Sequence, residues 1–143
     1  MDSRKERAVM PALPSWGPDL SVGNPELDQQ HRRLLELARQ TVELVESGSD
    51  LRETFHRILN DITDLAFQHF AAEEEVLARN GCPTLHEHKA EHDAYLEQLT
   101  RVLYQGSTGV DDRLALAQLM RDFTEHHLRE TDLESKPYLR PAP

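Results

Sequence analysis

One cysteine, Cys82, occurs in the 143 residues. A lone thiol excludes an internal disulfide and any zinc or iron–sulfur site built from several cysteines. It suits a reducing compartment, so a cytoplasmic location is the expectation. No apolar run approaches the roughly 18 residues of a membrane span, so no membrane partner is expected. Residues 1–15 carry Arg4, Lys5 and Arg7 without a continuous apolar stretch, which reads as a flexible extension and not a secretory signal. Positive charge is also short: 16 Lys and Arg face 26 Asp and Glu, a net charge of −10. Phosphate binding needs a basic face, which argues against a nucleic-acid partner. Aromatic residues amount to only 6%. Ala, Leu, Glu and Arg are prominent instead, a helix-forming mixture.

The apolar residues recur at helical spacing in four stretches. Asn24, Pro25 and Glu26 read as N-cap, first-turn proline and first-turn acid. Behind them run Leu27, His31, Leu34, Leu35, Ala38, Val42 and Val45, up to the breaker Ser47-Gly48-Ser49. A second helix opens near Asp50, with Glu53 placed for a capping box. Its stripe is Leu51, Phe55, Ile58, Ile62, Leu65/Ala66, His69, Glu73 and Val76/Leu77, stopping at Asn80-Gly81. Pro83-Thr84 with Glu87 starts a third helix by the same capping logic, carrying Leu85, His88, His92, Tyr95/Leu96, Leu99 and Val102/Leu103. After a turn over residues 106–111, a fourth carries Leu116, Leu119/Met120, Phe123 and His127. Short connections make neighbours antiparallel, so the expected fold is an all-α, up-down-up-down four-helix bundle. Its expected span is residues 16–139, with 140–143 a tail. Trp16 is expected to pack the N-terminal loop onto the bundle, and Tyr95 and Tyr104 to lie in the core or at its rim.

Histidine is abundant, with eight residues. Each apolar stripe is interrupted by it: His31, then His69, then His88 with His92, then His127. Glu73 lies on a buried stripe too, one helical turn from His69. A single inward histidine is ordinarily satisfied by some carbonyl. Five of them with an inward acid, spread over four helices, are hard to satisfy independently, because burying an unpartnered carboxylate costs several kcal/mol. A shared metal ion satisfies them together, and imidazole with carboxylate suits iron, zinc or copper. His56, His86 and His126 fall off the stripes and are read as solvated. His126 and Glu130 form a competing i,i+4 pair, yet the stripe through Phe123 leads to His127. The remaining acids of Glu73-Glu74-Glu75, and Asp111-Asp112, read as solvated faces and a helix start. Cys82 reads as incidental.

The order and spacing of these residues resemble the hemerythrin family, in particular its single-domain bacterial members. The resemblance runs from Trp16 to Asp132. It is carried by Trp16 with Ser21-Val22-Gly23, Asp28-x-Gln30-His31, His69-Phe70-x-x-Glu73-Glu74, Pro83-x4-His88-x3-His92-Asp93 and His127-x4-Asp132. It implies a non-haem di-iron centre with an oxo or hydroxo bridge. One iron would take His88, His92 and His127, the other His31 and His69, with Glu73 and Asp132 bridging both. Three histidines, two carboxylate oxygens and the bridge fill six positions on the first iron; the second keeps one position open for dioxygen. Phe123, where many relatives carry tryptophan, and Phe70 would line the O2 pocket. Asp132 is implied by the resemblance alone. Five residues past His127 is about 140° round an ideal α-helix, so its role needs a local distortion or helix end, and Glu130 competes for it.

The implied function is reversible O2 binding for carriage, storage or sensing, which favours an O2-binding protein over an enzyme. The alternatives on the same centre are a redox enzyme (peroxidase, ferroxidase or nitric-oxide reductase) and an iron-homeostasis protein. A helical interaction module with incidental histidines is a further alternative. No protein partner is specified by the sequence, and a monomer is the working expectation.

Overall fold

Helix α1, Pro25–Ser47, starts as its sequence predicts: the Asn24 side chain accepts from the Leu27 amide at 3.3 Å, with Pro25 at the first position. The structure, a computed structural model, describes residues 13–48 and 51–141. Asp28 also ties the preceding loop to α1. It accepts from the Ser21 hydroxyl at 2.6 Å and from the Val22 amide at 2.9 Å, burying Val22 completely. Trp16 lies half-buried against α1 with the Arg32 guanidinium 5.4 Å from its ring centre, a cation–π contact.

Helix α2, Arg52–Arg79, has Leu51 at its N-cap without a side-chain hydrogen bond. Asp50, the expected cap, lies outside the described residues, and Leu51 is exposed, not part of the stripe. The C-terminus follows expectation. Gly81 turns left-handed at φ +69°, its amide bonds to the Ala78 carbonyl at 3.2 Å, and the Cys82 amide bonds to that of Leu77 at 2.9 Å. This Schellman arrangement satisfies the last carbonyls and aims the chain into α3, Leu85–Ser107. Thr84 precedes α3 but does not cap it; its hydroxyl sits 3.4 Å from the Cys82 sulfur instead. Helix α4, Arg113–Asp122, is capped by Asp112, which accepts from the Ala115 amide at 3.0 Å. It continues without a break as a π-helix over Phe123–Asp132. Lys136–Tyr138 forms a last 3-10 turn.

The helices pack in the cyclic order α1, α2, α3, α4 and back to α1, a four-helix bundle with no strand among the described residues. The apolar faces divide into two clusters. The larger includes Leu34, Leu37, Phe55, Ile58, Ile62, Phe70, Leu99, Leu116 and Met120. The smaller joins Val22, Leu27, Leu77, Cys82 and Leu139. Each buried Leu, Ile or Phe side chain contributes about 1.5–3 kcal/mol, and the bundle rests chiefly on the larger cluster. Between the two lies a polar layer: His31 follows Leu27 by one turn and precedes Leu34, while His69 and Glu73 fall between Ala66 and Leu77.

Two expectations shift. The second half of α1 buries Leu37, Thr41 and Leu44, leaving Val42 and Val45 half-buried. Thr41 tolerates the core because its hydroxyl donates to the Leu37 carbonyl at 2.8 Å, which apolar periodicity cannot register. Tyr95 is buried, but Tyr104 is 71% exposed, because it lies on the outward face of α3 while Val102 and Gly106 on either side turn toward α2. Of the expected N-terminal extension, positions 1–12 lie outside the described residues. No described helix is long and apolar enough to cross a membrane.

Candidate metal centre

The polar layer collects His31 from α1, His69 and Glu73 from α2, His88 and His92 from α3, and His127 and Asp132 from the π-helix. All are buried, and none exceeds 2% exposure. Helical spacing explains most of them. His69 with Glu73, and His88 with His92, are i,i+4 pairs that project from one face toward the bundle axis.

The fourth helix needs its π segment. In an α-helix Asp132 would point well away from His127. Hydrogen bonding from i to i+5 widens the turn so that residues five apart stack. The Asp132 Oδ1 atom therefore sits 3.2 Å from His127 Nε2. The distortion that a place for Asp132 beside His127 requires is present, and Glu130 points outward, 64% exposed, paired with His126 at 3.0 Å.

The two carboxylates divide their oxygens between two sets of histidines. Glu73 Oε1 lies 2.6 Å from His88 Nε2, 3.1 Å from His92 Nε2 and 3.6 Å from His127 Nε2. Its other oxygen, Oε2, lies 3.1 Å from both His31 and His69 Nε2. Asp132 repeats the division, with Oδ1 3.0 Å from His88 and Oδ2 3.2 Å from His31. Two groups result, Glu73/His88/His92/His127/Asp132 and His31/His69/Glu73/Asp132, each with its ligand atoms within 4.8 Å of one another.

These contacts fit a metal better than a hydrogen-bond network. Both Asp132 oxygens and His69 Nε2 lack a hydrogen-bond partner although nitrogens or oxygens stand within about 3 Å, because the groups aim at points between them. His92 and His127 face each other Nε2 to Nε2 at 3.0 Å. Two nitrogens each about 2.1 Å from one ion and at right angles to it stand about 3 Å apart.

The outer nitrogens support the same orientation. His69 Nδ1–H donates to Gln30 Oε1 at 2.6 Å, His92 Nδ1–H to Glu74 Oε2 at 2.8 Å, and His127 Nδ1–H to Glu91 Oε1 at 3.1 Å. Ser135 Oγ is 3.4 Å from His88 Nδ1. A proton held on Nδ1 leaves the Nε2 lone pair directed inward, as a ligand requires.

The electrostatics describe what the metal-free layer must do. Burial alone would pull down the pKa of His31, but Asp132 and Glu73 outweigh it and raise it to about 9. His88 is raised to about 9 by the same balance, and His127 is raised well above its usual value. His69 goes the other way, lowered by burial and by the neighbouring His31. Burial tends to raise Glu73 and Asp132, yet the surrounding histidines hold both below the carboxylate range. Two buried carboxylates thus demand positive charge, from protons or from a cation.

The hemerythrin HHE cation binding domain matches residues 22–139. The chain belongs to the hemerythrin family. A bacteriohemerythrin of Stenotrophomonas maltophilia is 28% identical over 121 residues, covering 85% of this chain and 78% of that protein. One from Clostridium acetobutylicum is 30% identical over 86 residues, 59% of this chain and 67% of that one. A hemerythrin-like protein of Naegleria gruberi is 25% identical over 131 residues, 92% of this chain and 98% of its own length. No solved structure matches significantly.

Within this hemerythrin-family chain, all seven residues singled out as ligand candidates meet in one layer. His56, His86 and His126 stay outside it; His56 pairs instead with Asp111 at 3.2 Å. Glu74 corrects an expectation. It is not a solvated acid like Glu75 but an orienting partner of His92, with its side chain 23% exposed. Glu91 and Ser135 were not singled out at all. Glu91 flanks the layer from a half-polar face of α3 and Ser135 from the turn before the last 3-10 segment, where apolar periodicity carries no signal.

Proposed function

We propose that the protein binds dioxygen reversibly at two iron ions, joined by an oxo or hydroxo bridge and by Glu73 and Asp132. His88, His92 and His127 would hold one ion, His31 and His69 the other. The observation that carries this reading is the division of both carboxylates between a three-histidine and a two-histidine group. Unequal donor counts would leave a second ion held by His31 and His69 with a free position for an exogenous ligand. Iron there supplies reversible electron donation to a bound diatomic molecule.

The chain's own residues favour binding over turnover. Phe70 stacks on the His92 ring at 4.0 Å between centres, and Phe123 on the His127 ring at 5.4 Å. Below them lies a cavity of about 20 Å³ lined by Leu34, Ile62, Ala66, Phe70, Phe123 and other apolar side chains. Among its lining residues the only hydroxyl is that of Tyr95, whose pKa burial pushes up, so it stays protonated. A small apolar ligand is accommodated, and no acid or base is poised to deliver protons to it.

The test is to load the protein with ferrous iron anaerobically, admit air, and record the visible spectrum with iron per chain. Two irons per chain and a colour that vanishes on deoxygenation support the proposal. Irreversible conversion to a ferric species, accelerated by reductant or peroxide, transfers the reading to a redox enzyme. Loss of the iron to a weak chelator or acceptor protein indicates iron homeostasis.

A further inference from the structure

Glu91 receives three contacts from the π-helix. Its Oε1 accepts from His127 Nδ1 at 3.1 Å and lies 3.3 Å from His126 Nε2. Thr131 Oγ1 lies 3.0 Å from each carboxylate oxygen. His127 and Thr131 stand on successive π turns, and Thr131 immediately precedes Asp132. One acid on α3 therefore holds the chain at both ends of the wide turn that stacks His127 on Asp132.

The outer partners are also unequal in charge. His92 and His127, in the three-histidine group, donate to the carboxylates of Glu74 and Glu91. In the two-histidine group, His69 donates to the neutral amide of Gln30, and His31 Nδ1 has no partner. A carboxylate acceptor makes an imidazole a stronger donor to whatever its other nitrogen holds.

We infer that Glu91 is a positioning residue that acts through His127 and Thr131, keeping the π turn in register and making the three-histidine position the tighter of the two. The inference rests on the two-ion reading. The shape part and the charge part separate: E91Q keeps a carbonyl acceptor for His127 and loses the charge, whereas E91A loses both. Glu91 is a partly exposed side chain on the bundle's outer face, so neither variant removes core packing.

The experiment is an anaerobic titration of the metal-free protein with cobalt(II), followed by absorption. Cobalt reports ligand geometry in its spectrum without any O2 chemistry. The wild type is expected to bind in two steps. E91Q should weaken the tighter step about 10–100-fold, leave the weaker step unchanged and shift the spectrum of the first ion. E91A should weaken it further and, in zinc-loaded protein, move the His127 Nδ1–H proton resonance upfield and speed its exchange with solvent, because the hydrogen bond to the carboxylate is gone. Wild-type affinities and spectra in both variants would overturn the role of Glu91 while leaving the metal centre standing. Absence of cobalt binding by the wild type would instead remove the two-ion reading itself.

Discussion

His127 and Asp132 stand five residues apart on one helix, yet His127 Nε2 and Asp132 Oδ1 are 3.2 Å from each other. The π segment between them makes this possible, and the contact lies at the centre of a buried layer of five histidines and two carboxylates. Local winding of the backbone thus determines which acid completes the site.

Asp132→Ala is expected to abolish at least one of the two ions, measured as metal per chain, and to lower the melting temperature of loaded protein by several degrees. Metal at a hundred times its dissociation constant stabilises a fold by about 2.7 kcal/mol, and that linkage is what the variant forfeits. Glu130→Ala should keep the full metal content. The reverse pattern would mean that the helix continues in α register.

The register of the same segment can be read from two adjacent histidines. His127→Ala should strip metal from the three-histidine position, whereas His126→Ala, at a side chain 52% exposed, should keep both ions. Metal analysis of the pair after identical loading and desalting gives the answer directly.

Removing the metal should leave a pH dependence of stability set by the protons of the layer itself. In the metal-free protein His31 and His88 have folded pKa values of about 9, above the unfolded value near 6.5, and His127 is raised too. Their stabilisation is fully present below about pH 6.5 and is lost as pH rises toward 9. Glu73 and Asp132, lowered on folding, contribute above the unfolded carboxylate pKa near 4 and lose that contribution as pH falls. His69, lowered, offsets part of the histidine effect. The chelator-treated protein should therefore melt highest at mildly acidic pH. Metal binding displaces those protons, so the gap in melting temperature between loaded and metal-free protein should widen from pH 6.5 to 9. A constant gap would show that the histidines are not the groups displaced.

Phe123→Ala should cost about 3–5 kcal/mol in denaturant unfolding, because it opens the 20 Å³ cavity beside His127 into a larger void. It should also hasten irreversible oxidation of iron-loaded protein in air, since water gains access to a dry site. Unchanged oxidation kinetics would mean that Phe123 does not shield the centre.

Much of the architecture was legible in the chain alone. Apolar residues at helical spacing delimit four helices, and His31, His69, Glu73, His88, His92 and His127 interrupt those stripes. A helix fixes the angle between near neighbours, so residue spacing already says which side chains share a face. Asp132 was not legible in this way, because its place depends on a π turn that spacing alone does not announce. The resemblance to a family supplied it, and the backbone supplied the reason. Glu74 and Glu91 escaped for another reason. Half-exposed acids look like solvated acids until a neighbouring helix presents an imidazole N–H to them. Thr41 escaped because its hydroxyl is satisfied within its own helix. The division of five histidines into three and two is a property of neighbours: it depends on α3 and the π-helix meeting on one side of Glu73 and α1 on the other. Local periodicity determined which residues turn inward, and only packing between helices decided what each of them meets there.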